Sequence, residues 1–176
     1  NVLEVRKEQE RATSISRHDV TVLVDSVDLA TVGTVRYARS LNPRTLHAVH
    51  FVLDDQKAEE IRQSWMANHA LDDVPIEFID CPDRRLPNAA LDYAIRTTAN
   101  SDVELTLLLP RRAYTGFLGR LLHDQTAEEI ARPISQVPRV VATIVPFDID
   151  KLLTGEIPTN TPHLPTKKPP PAQIPD

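Results

Sequence analysis

Five short apolar runs alternate with segments of helical periodicity, and this alternation constrains the fold more than any other feature of the chain. The runs are rich in Val, Ile and Leu, as buried strands are, and the segments between them space apolar residues as one face of a helix does. Predicted strands cover 20–24, 46–53, 75–79, 103–109 and 139–145, with helices at 28–41, 55–69, 86–99 and 115–132. Such alternation favours right-handed crossovers between parallel strands. We predict an α/β fold: a doubly wound five-stranded parallel sheet, order 3-2-1-4-5, with helices on both faces.

Individual residues refine these elements. Asp28 is well placed at the N-terminus of the first helix, and Pro110 is expected to close the fourth strand. The first helix carries apolar and small residues at helical spacing, which predicts a buried face made of Ala30, Gly33, Tyr37 and Leu41. Trp65 and Tyr93 also have partners at helical spacing and are predicted to be core residues.

Composition limits the classes of partner. The chain has 176 residues, 41% of them hydrophobic and 26% charged, which fits one soluble globular domain. A net charge of -5 argues against a nucleic acid or an anionic membrane surface as the main partner. The single cysteine, Cys81, cannot form an internal disulfide, and no Cys/His spacing predicts a metal site. No apolar stretch of 18 residues or more predicts a membrane span.

The two ends of the chain differ from its centre. Residues 1–18 are polar and are interpreted as a lead-in or juxtamembrane linker, and residues 19–148 form the predicted α/β domain. Residues 149–176 are a Pro-rich tail, expected to be disordered or polyproline-II unless it docks on a partner. The chain opens at Asn1 without an initiator Met, so we expect it to be a piece of a longer protein.

A ligand crevice is expected where the carboxyl ends of strands one and four lie side by side, because the winding of the sheet reverses there. Asp25 and Ser26 follow strand one, and an arginine-containing segment follows strand four. Asp25 can accept a hydrogen bond from a base or a ribose hydroxyl, or it can cap the following helix, a role that Asp28 can share. The candidate ligand-binding residues are Asp25, Ser26, Arg111, Arg112, Gly116, Gln125 and Thr126.

The segment from Thr126 to Glu129 matches a capping box, which predicts that a helix begins at Thr126. A helix N-terminus at the reversal point attracts anions, because its free amides and its dipole point toward the crevice. Arg111, Arg112 and Arg120 can add positive charge. Plain structural capping beside solvated arginines is the alternative interpretation.

The chain shows no catalytic motif. Ser26, His123 and Asp25 can be drawn as a triad, but the Gly-x-Ser-x-Gly elbow and an identifiable oxyanion hole are missing. Cys81 has no His or Lys close in sequence to activate it, so we expect an inert thiol. His47 and His50 face opposite sides of a strand and are poor co-ligands for a metal; we expect His50 to be buried and hydrogen bonded. We therefore expect a protein that binds or regulates and is not an enzyme.

Several blocks resemble the universal stress protein domain: VDSVDLA at the end of strand one, then RYARSL, LHAVHFVLD, VELTLLLP, GFLGRLLHDQTAEEI and VVATIVP. The resemblance covers about residues 19–147. More specifically, the segment LVDSVDLATVGTVRYARSLNPRTLHAVHF and the later RLLHDQTA are similar to cytosolic C-terminal domains of bacterial permeases of the amino acid–polyamine–organocation superfamily.

This resemblance implies a cytosolic regulatory or dimerisation domain of an amino acid permease-type membrane transporter, placed at the cytoplasmic face of the cell membrane. The membrane-embedded part would belong to the same polypeptide. The resemblance also implies sensing of a nucleotide or a cyclic dinucleotide, the one candidate cofactor, and a homodimer through strand 139–145. A long apolar edge strand would be a liability in a monomer, which favours the same dimer.

A stand-alone stress-protein-like nucleotide-binding module with a degenerate ATP motif is the alternative. ATP-binding members of the family carry Gly-x2-Gly-x9-Gly-Ser/Thr. If Thr126 takes the last position, the three glycine positions fall on Arg112, Thr115 and Gln125. Side chains at these positions obstruct the close approach of a triphosphate to the backbone. We therefore do not expect ATP to bind as it does in family members that carry the three glycines.

Overall fold

The computed structural model describes residues 17–99, 102–113 and 124–148, and in this part of the chain five strands alternate with four α-helices. Residues 115–123 of the predicted helix 115–132, the tail from 149 and residues 1–16 of the lead-in lie outside the described residues. The elements are β1 (Arg17–Leu23), α1 (Leu29–Ser40), β2 (Thr45–Val52), α2 (Asp55–Met66), β3 (Ile76–Asp80), α3 (Leu86–Thr97), β4 (Val103–Ala113), α4 (Asp124–Ile134) and β5 (Val140–Asp148). A short 3-10 helix, His69–Leu71, follows α2.

The sheet has the order β3-β2-β1-β4-β5, and every pair of neighbouring strands is parallel. This confirms the predicted fold class and strand order. β1 is the centre: its Asp19 is the register partner of Thr45 on β2 and of Leu105 on β4. The winding reverses between β1 and β4, so their carboxyl ends open onto the same edge of the sheet.

Each face of the sheet carries its own apolar core. On one face, α3 and α4 cover β-strand residues such as Leu105 and Leu107. On the other face, α1 and α2 cover Val20, Val22 and Leu108. Trp65 of α2 is buried there and its indole Nε1 donates a hydrogen bond to the carbonyl of Val74, at 3.0 Å. The predicted core positions of Trp65 and Tyr93 are confirmed.

The buried face of α1 differs from the prediction, because Tyr37 is 41% exposed. The helix instead buries small residues and two threonines: Ala30, Thr31, Thr34, Val35 and Ala38. Burial of the threonines is tolerated because their hydroxyls donate to backbone carbonyls, Thr31 to Ser26 at 2.6 Å and Thr34 to Ala30 at 2.8 Å. The face of α1 that packs on the sheet is therefore rotated around the helix axis relative to the face that contains Tyr37.

Two strand boundaries also differ from the prediction. β1 begins at Arg17, inside the expected lead-in, and β4 continues past Pro110 to Ala113. The amide of Leu105 points toward β5, where it donates to the carbonyl of Arg139. Successive amides along a strand point alternately to its two neighbours, so the nitrogen of Pro110, five residues later, faces β1. β1 pairs only as far as Val22 with Leu108. Pro110 therefore lacks an N–H at a position where no neighbouring strand needs one.

Among the helices in the described part of the chain, none is long and apolar enough to cross a membrane.

Candidate functional site

The predicted crevice lies where β1 ends, and a buried histidine fixes the backbone there. The amide of Val24 donates to the carbonyl of Val49 at 2.8 Å, and the carbonyl of Val24 accepts from Nδ1 of His50 at 2.7 Å. Because a carbonyl can only accept, Nδ1 of His50 must carry a proton. His50 is 5% exposed, which confirms its predicted burial, but its buried Nε2 has no hydrogen-bond partner among the described residues, so only one ring nitrogen is satisfied. It holds the peptide that leads into Asp25.

Asp25 follows β1 at the protein surface, with its side chain 86% exposed. Its carboxylate accepts from Nζ of Lys57 on α2, at 2.9 Å. The cap of α1 is Asp28, whose Oδ1 accepts from the amide of Thr31 at 2.9 Å. Asp28, and not Asp25, therefore caps α1. Asp25 faces solvent beside Lys57.

Ser26 contributes to the start of α1. Its hydroxyl donates to Oδ2 of Asp28 at 3.1 Å, and its carbonyl accepts from the Thr31 hydroxyl. These contacts make Ser26 part of the cap structure next to the crevice. His123, the base of the triad considered above, lies outside the described residues.

Arg111 comes from β4, the second strand at the predicted crevice. It is partly buried and places its guanidinium 3.8 Å from the carboxylate of Glu128 on α4. Asp25 instead pairs with Lys57 on α2. Since α2 and α4 cover opposite faces of the sheet, the Asp25–Lys57 pair and the Arg111–Glu128 pair lie toward opposite faces at the edge where the crevice is predicted.

Less is known of the surroundings of the other predicted site residues. Arg112 belongs to β4, Gln125 and Thr126 lie in the first turn of α4, and Gly116 is outside the described residues. α4 already includes Asp124, so the predicted helix start at Thr126 is too late. Thr and Glu are tolerated inside helices, and a capping pattern marks a helix end only to within a few residues. The crossover from β4 to β5 still directs the N-terminus of α4 to the crevice edge.

Lys57 is a charged residue beside Asp25 that the sequence did not point to. It is the third residue of α2, and its own amide donates to the Asp54 cap at 2.8 Å. A lysine in the first turn opposes the helix dipole, and this was the one available signal. Exposed ion pairs such as Lys57 with Asp25 contribute only about 0–1 kcal/mol, so a ligand can displace one partner at little cost.

The surroundings of Cys81 make its thiol unreactive, and the described residues form no metal-binding cluster. Cys81 is buried, and burial raises the pKa of its thiol, with its hydrogen bond to Asp83 adding to the effect. A thiol of raised pKa is a poor nucleophile at neutral pH. Across residues 17–99, 102–113 and 124–148, no three His, Cys, Asp or Glu side chains are grouped so that they could hold a metal ion.

Comparison with known proteins identifies one family. Residues 16–147 match the family model of the KimA potassium transporter C-terminal domain. The matched range covers well over half of the 176 residues and nearly all of the five-stranded domain. No curated protein matches the chain significantly.

Proposed function

Because this chain belongs to the family of KimA potassium transporter C-terminal domains, we propose that it is the cytosolic regulatory and dimerisation domain of a potassium transporter. The observation that carries the proposal is the match over residues 16–147, which spans the whole sheet apart from the last residue of β5. The membrane-embedded part would belong to the same polypeptide. The domain would act by binding and not by catalysis, in keeping with Ser26 serving a helix cap and with the raised pKa of the Cys81 thiol.

The transported substrate that we propose differs from the one expected from the sequence. The resemblance to amino acid–polyamine–organocation permeases implies an amino acid, and that substrate stays a prediction. The description of the matching family names potassium, and we favour it for that reason.

The complete polypeptide that contains this chain, expressed in a bacterium without its own potassium uptake, is expected to restore growth at low potassium. An antibody against the domain should then detect, in the membrane fraction, a polypeptide larger than 19.7 kDa. A membrane protein that restores amino acid uptake and not potassium uptake would favour the amino acid permease. A water-soluble polypeptide of about the mass of this chain would favour the stand-alone stress-protein-like module.

We also propose that the crevice binds a nucleotide or a cyclic dinucleotide. Lys57 and Arg111 supply positive charge on its two sides, and the exposed carboxylate of Asp25 can accept from a ribose hydroxyl or a base. The α4 N-terminus at the same edge adds backbone amides and a favourable dipole for phosphate. The missing glycines at Arg112 and Gln125 favour a ligand whose phosphates lie less deep than those of ATP.

A thermal-shift screen of the purified chain with ATP, AMP, cyclic di-AMP and cyclic di-GMP tests this site. A ligand at 100 times its Kd should stabilise the fold by about 2.7 kcal/mol. We expect the shift to shrink in Lys57→Ala and Arg111→Ala, and to persist in the control Arg62→Ala, which removes a cation from α2 at a residue that instead contacts Glu59 and Phe78. Absence of a shift with every nucleotide would reject sensing and leave dimerisation as the role.

Dimerisation is the third part of the proposal. β5 is a nine-residue edge strand of the sheet, and its Val141 is 58% exposed. α1 contacts β5 and leaves Tyr37 exposed as well. Pairing of β5 with its copy across a two-fold axis would cover this edge and join two sheets into one.

A further inference from the structure

Three polar side chains from three elements meet on the face of the sheet covered by α3 and α4. Thr21 on β1 and His47 on β2 are register partners, and Tyr93 reaches them from α3. The Thr21 hydroxyl lies 3.0 Å from Oη of Tyr93 and 3.3 Å from Nε2 of His47. Oη of Tyr93 is also hydrogen bonded to Nε2 of His47. We call these three residues the His47 cluster, and it ties α3 to the two central strands.

The cluster is buried except at its histidine. Thr21 is fully buried and Tyr93 nearly so, whereas His47 is only half-buried. A hydroxyl that loses its partner in such an interior cannot turn to water, so changes in the hydrogen bonds of His47 are costly for Thr21 and Tyr93. Solvent protons reach the cluster through His47.

Charged groups from the neighbouring elements act on His47. Burial lowers the pKa of His47, and it outweighs the opposing effects of Glu77 on β3 and Asp19 on β1, which raise it. Arg17 lies 3.8 Å from the Asp19 carboxylate, and Arg96 of α3 lines a recess together with Glu77 and Tyr93. Burial raises the pKa of Tyr93, so its hydroxyl keeps its proton. The imidazole is therefore neutral at pH 7, and Nε2 can accept from Tyr93.

We infer that the His47 cluster is an acid-sensitive contact that holds α3 on the sheet and releases it when His47 is protonated. Protonation makes Nε2 a donor, so the hydroxyl of Tyr93 must turn away from it, to Thr21 or to Thr97, whose side chain also hydrogen bonds to Tyr93. If it turns to Thr21, the Thr21 hydroxyl in turn loses Oη of Tyr93 as its acceptor. It also places a positive charge in a half-buried site. α3 packs against α4, whose N-terminus borders the crevice, so the release would reach the proposed ligand site.

The direction of the pH effect follows from the lowered pKa. An unfolded chain binds the proton near pH 6.5, before the folded chain does. His47 therefore does not affect the free energy of unfolding above about pH 6.5. As the pH falls from there through the pKa of His47 in the folded chain, its protonation lowers that free energy. The contact is argued from the geometry of this chain; only its use in regulation rests on the proposed function.

Thermal unfolding of the full chain at pH 7.5 and pH 5.5 tests the contact. We expect the fall in Tm between these two pH values to be smaller by about 2 °C or more in His47→Gln than in the unchanged chain. His69→Gln is the matched control, because the side chain of His69 is 96% exposed, and it should keep the full fall. An equal fall in the His47→Gln variant and the unchanged chain would overturn the inference.

Hydrogen exchange separates a local release from a general loss of stability. In the unchanged chain, the amides of α3 should lose protection at pH 5.5, after correction for intrinsic rates, while those of α1 keep theirs. In Tyr93→Phe, which retains the aromatic ring in the core, α3 should already be less protected at pH 7.5. Equal loss in α1 and α3 at low pH would show that protonation destabilises the whole domain and would reject the contact as a switch.

Discussion

Replacement of Leu107 by alanine is expected to lower the free energy of unfolding by about 2–5 kcal/mol. Leu107 lies in β4 and is 1% exposed. It belongs to the core between the sheet and helices α3 and α4, beside Leu105 and Leu109. The substitution removes apolar contacts and leaves a cavity that the neighbouring strands cannot close, because β4 is paired on both sides.

Urea unfolding followed by circular dichroism measures this change. It should be done at one protein concentration, since a dimer would make stability depend on concentration. Met66→Ala is the control, because Met66 is an exposed apolar residue at the end of α2, and its change should stay within about 0.5 kcal/mol. A Leu107→Ala variant as stable as the Met66→Ala control would contradict the placement of β4 at the centre of the core.

Replacement of Val141 by lysine is expected to weaken the proposed dimer by about 2 kcal/mol or more, which is about 30-fold in Kd. By two-fold symmetry the change occurs twice in each dimer, and it replaces an apolar side chain with a charge that would have to leave water. The monomer should be little affected, because Val141 already faces solvent on the sheet edge.

Multi-angle light scattering over a range of concentrations measures the dimer. Met66→Lys introduces the same charge at an exposed apolar position on α2, and we expect it to dimerise as the unchanged chain does. If the unchanged chain is a strict monomer at high micromolar concentration, the β5 dimer is wrong. If Val141→Lys dimerises with unchanged Kd, the interface lies elsewhere.

Much of the fold was predictable because its signals are local. The β-branched run around Val22 and the apolar run around Leu107 predict strands wherever they are packed, and Asp28 predicts a helix start through its own neighbours. Alternation of the two patterns then leaves few topologies, and the order β3-β2-β1-β4-β5 is one of them. The errors are at boundaries, such as Pro110 inside β4 and Asp124 inside α4.

The candidate site was predictable only in part. Its location at the ends of β1 and β4 follows from topology, so Asp25 and Arg111 could be named from their positions after or late in these strands. Their partners could not be named. Lys57 lies 32 residues from Asp25 in sequence, and nothing in the local pattern joins them.

The sequence by itself therefore determined the class of fold and the strand order, and it named the edge of the sheet where the ligand site is proposed, since each depends on local periodicity and on rules of chain connection. Only the tertiary structure decided which side chains meet. His47 and Tyr93 are 46 residues apart and contact each other because α3 packs across β2. The buried face of α1 carries Thr31 and Thr34, whose hydroxyls donate to backbone carbonyls, and Tyr37 lies on the exposed side. Contacts of this kind depend on how elements pack in three dimensions, which residue spacing along the chain does not encode.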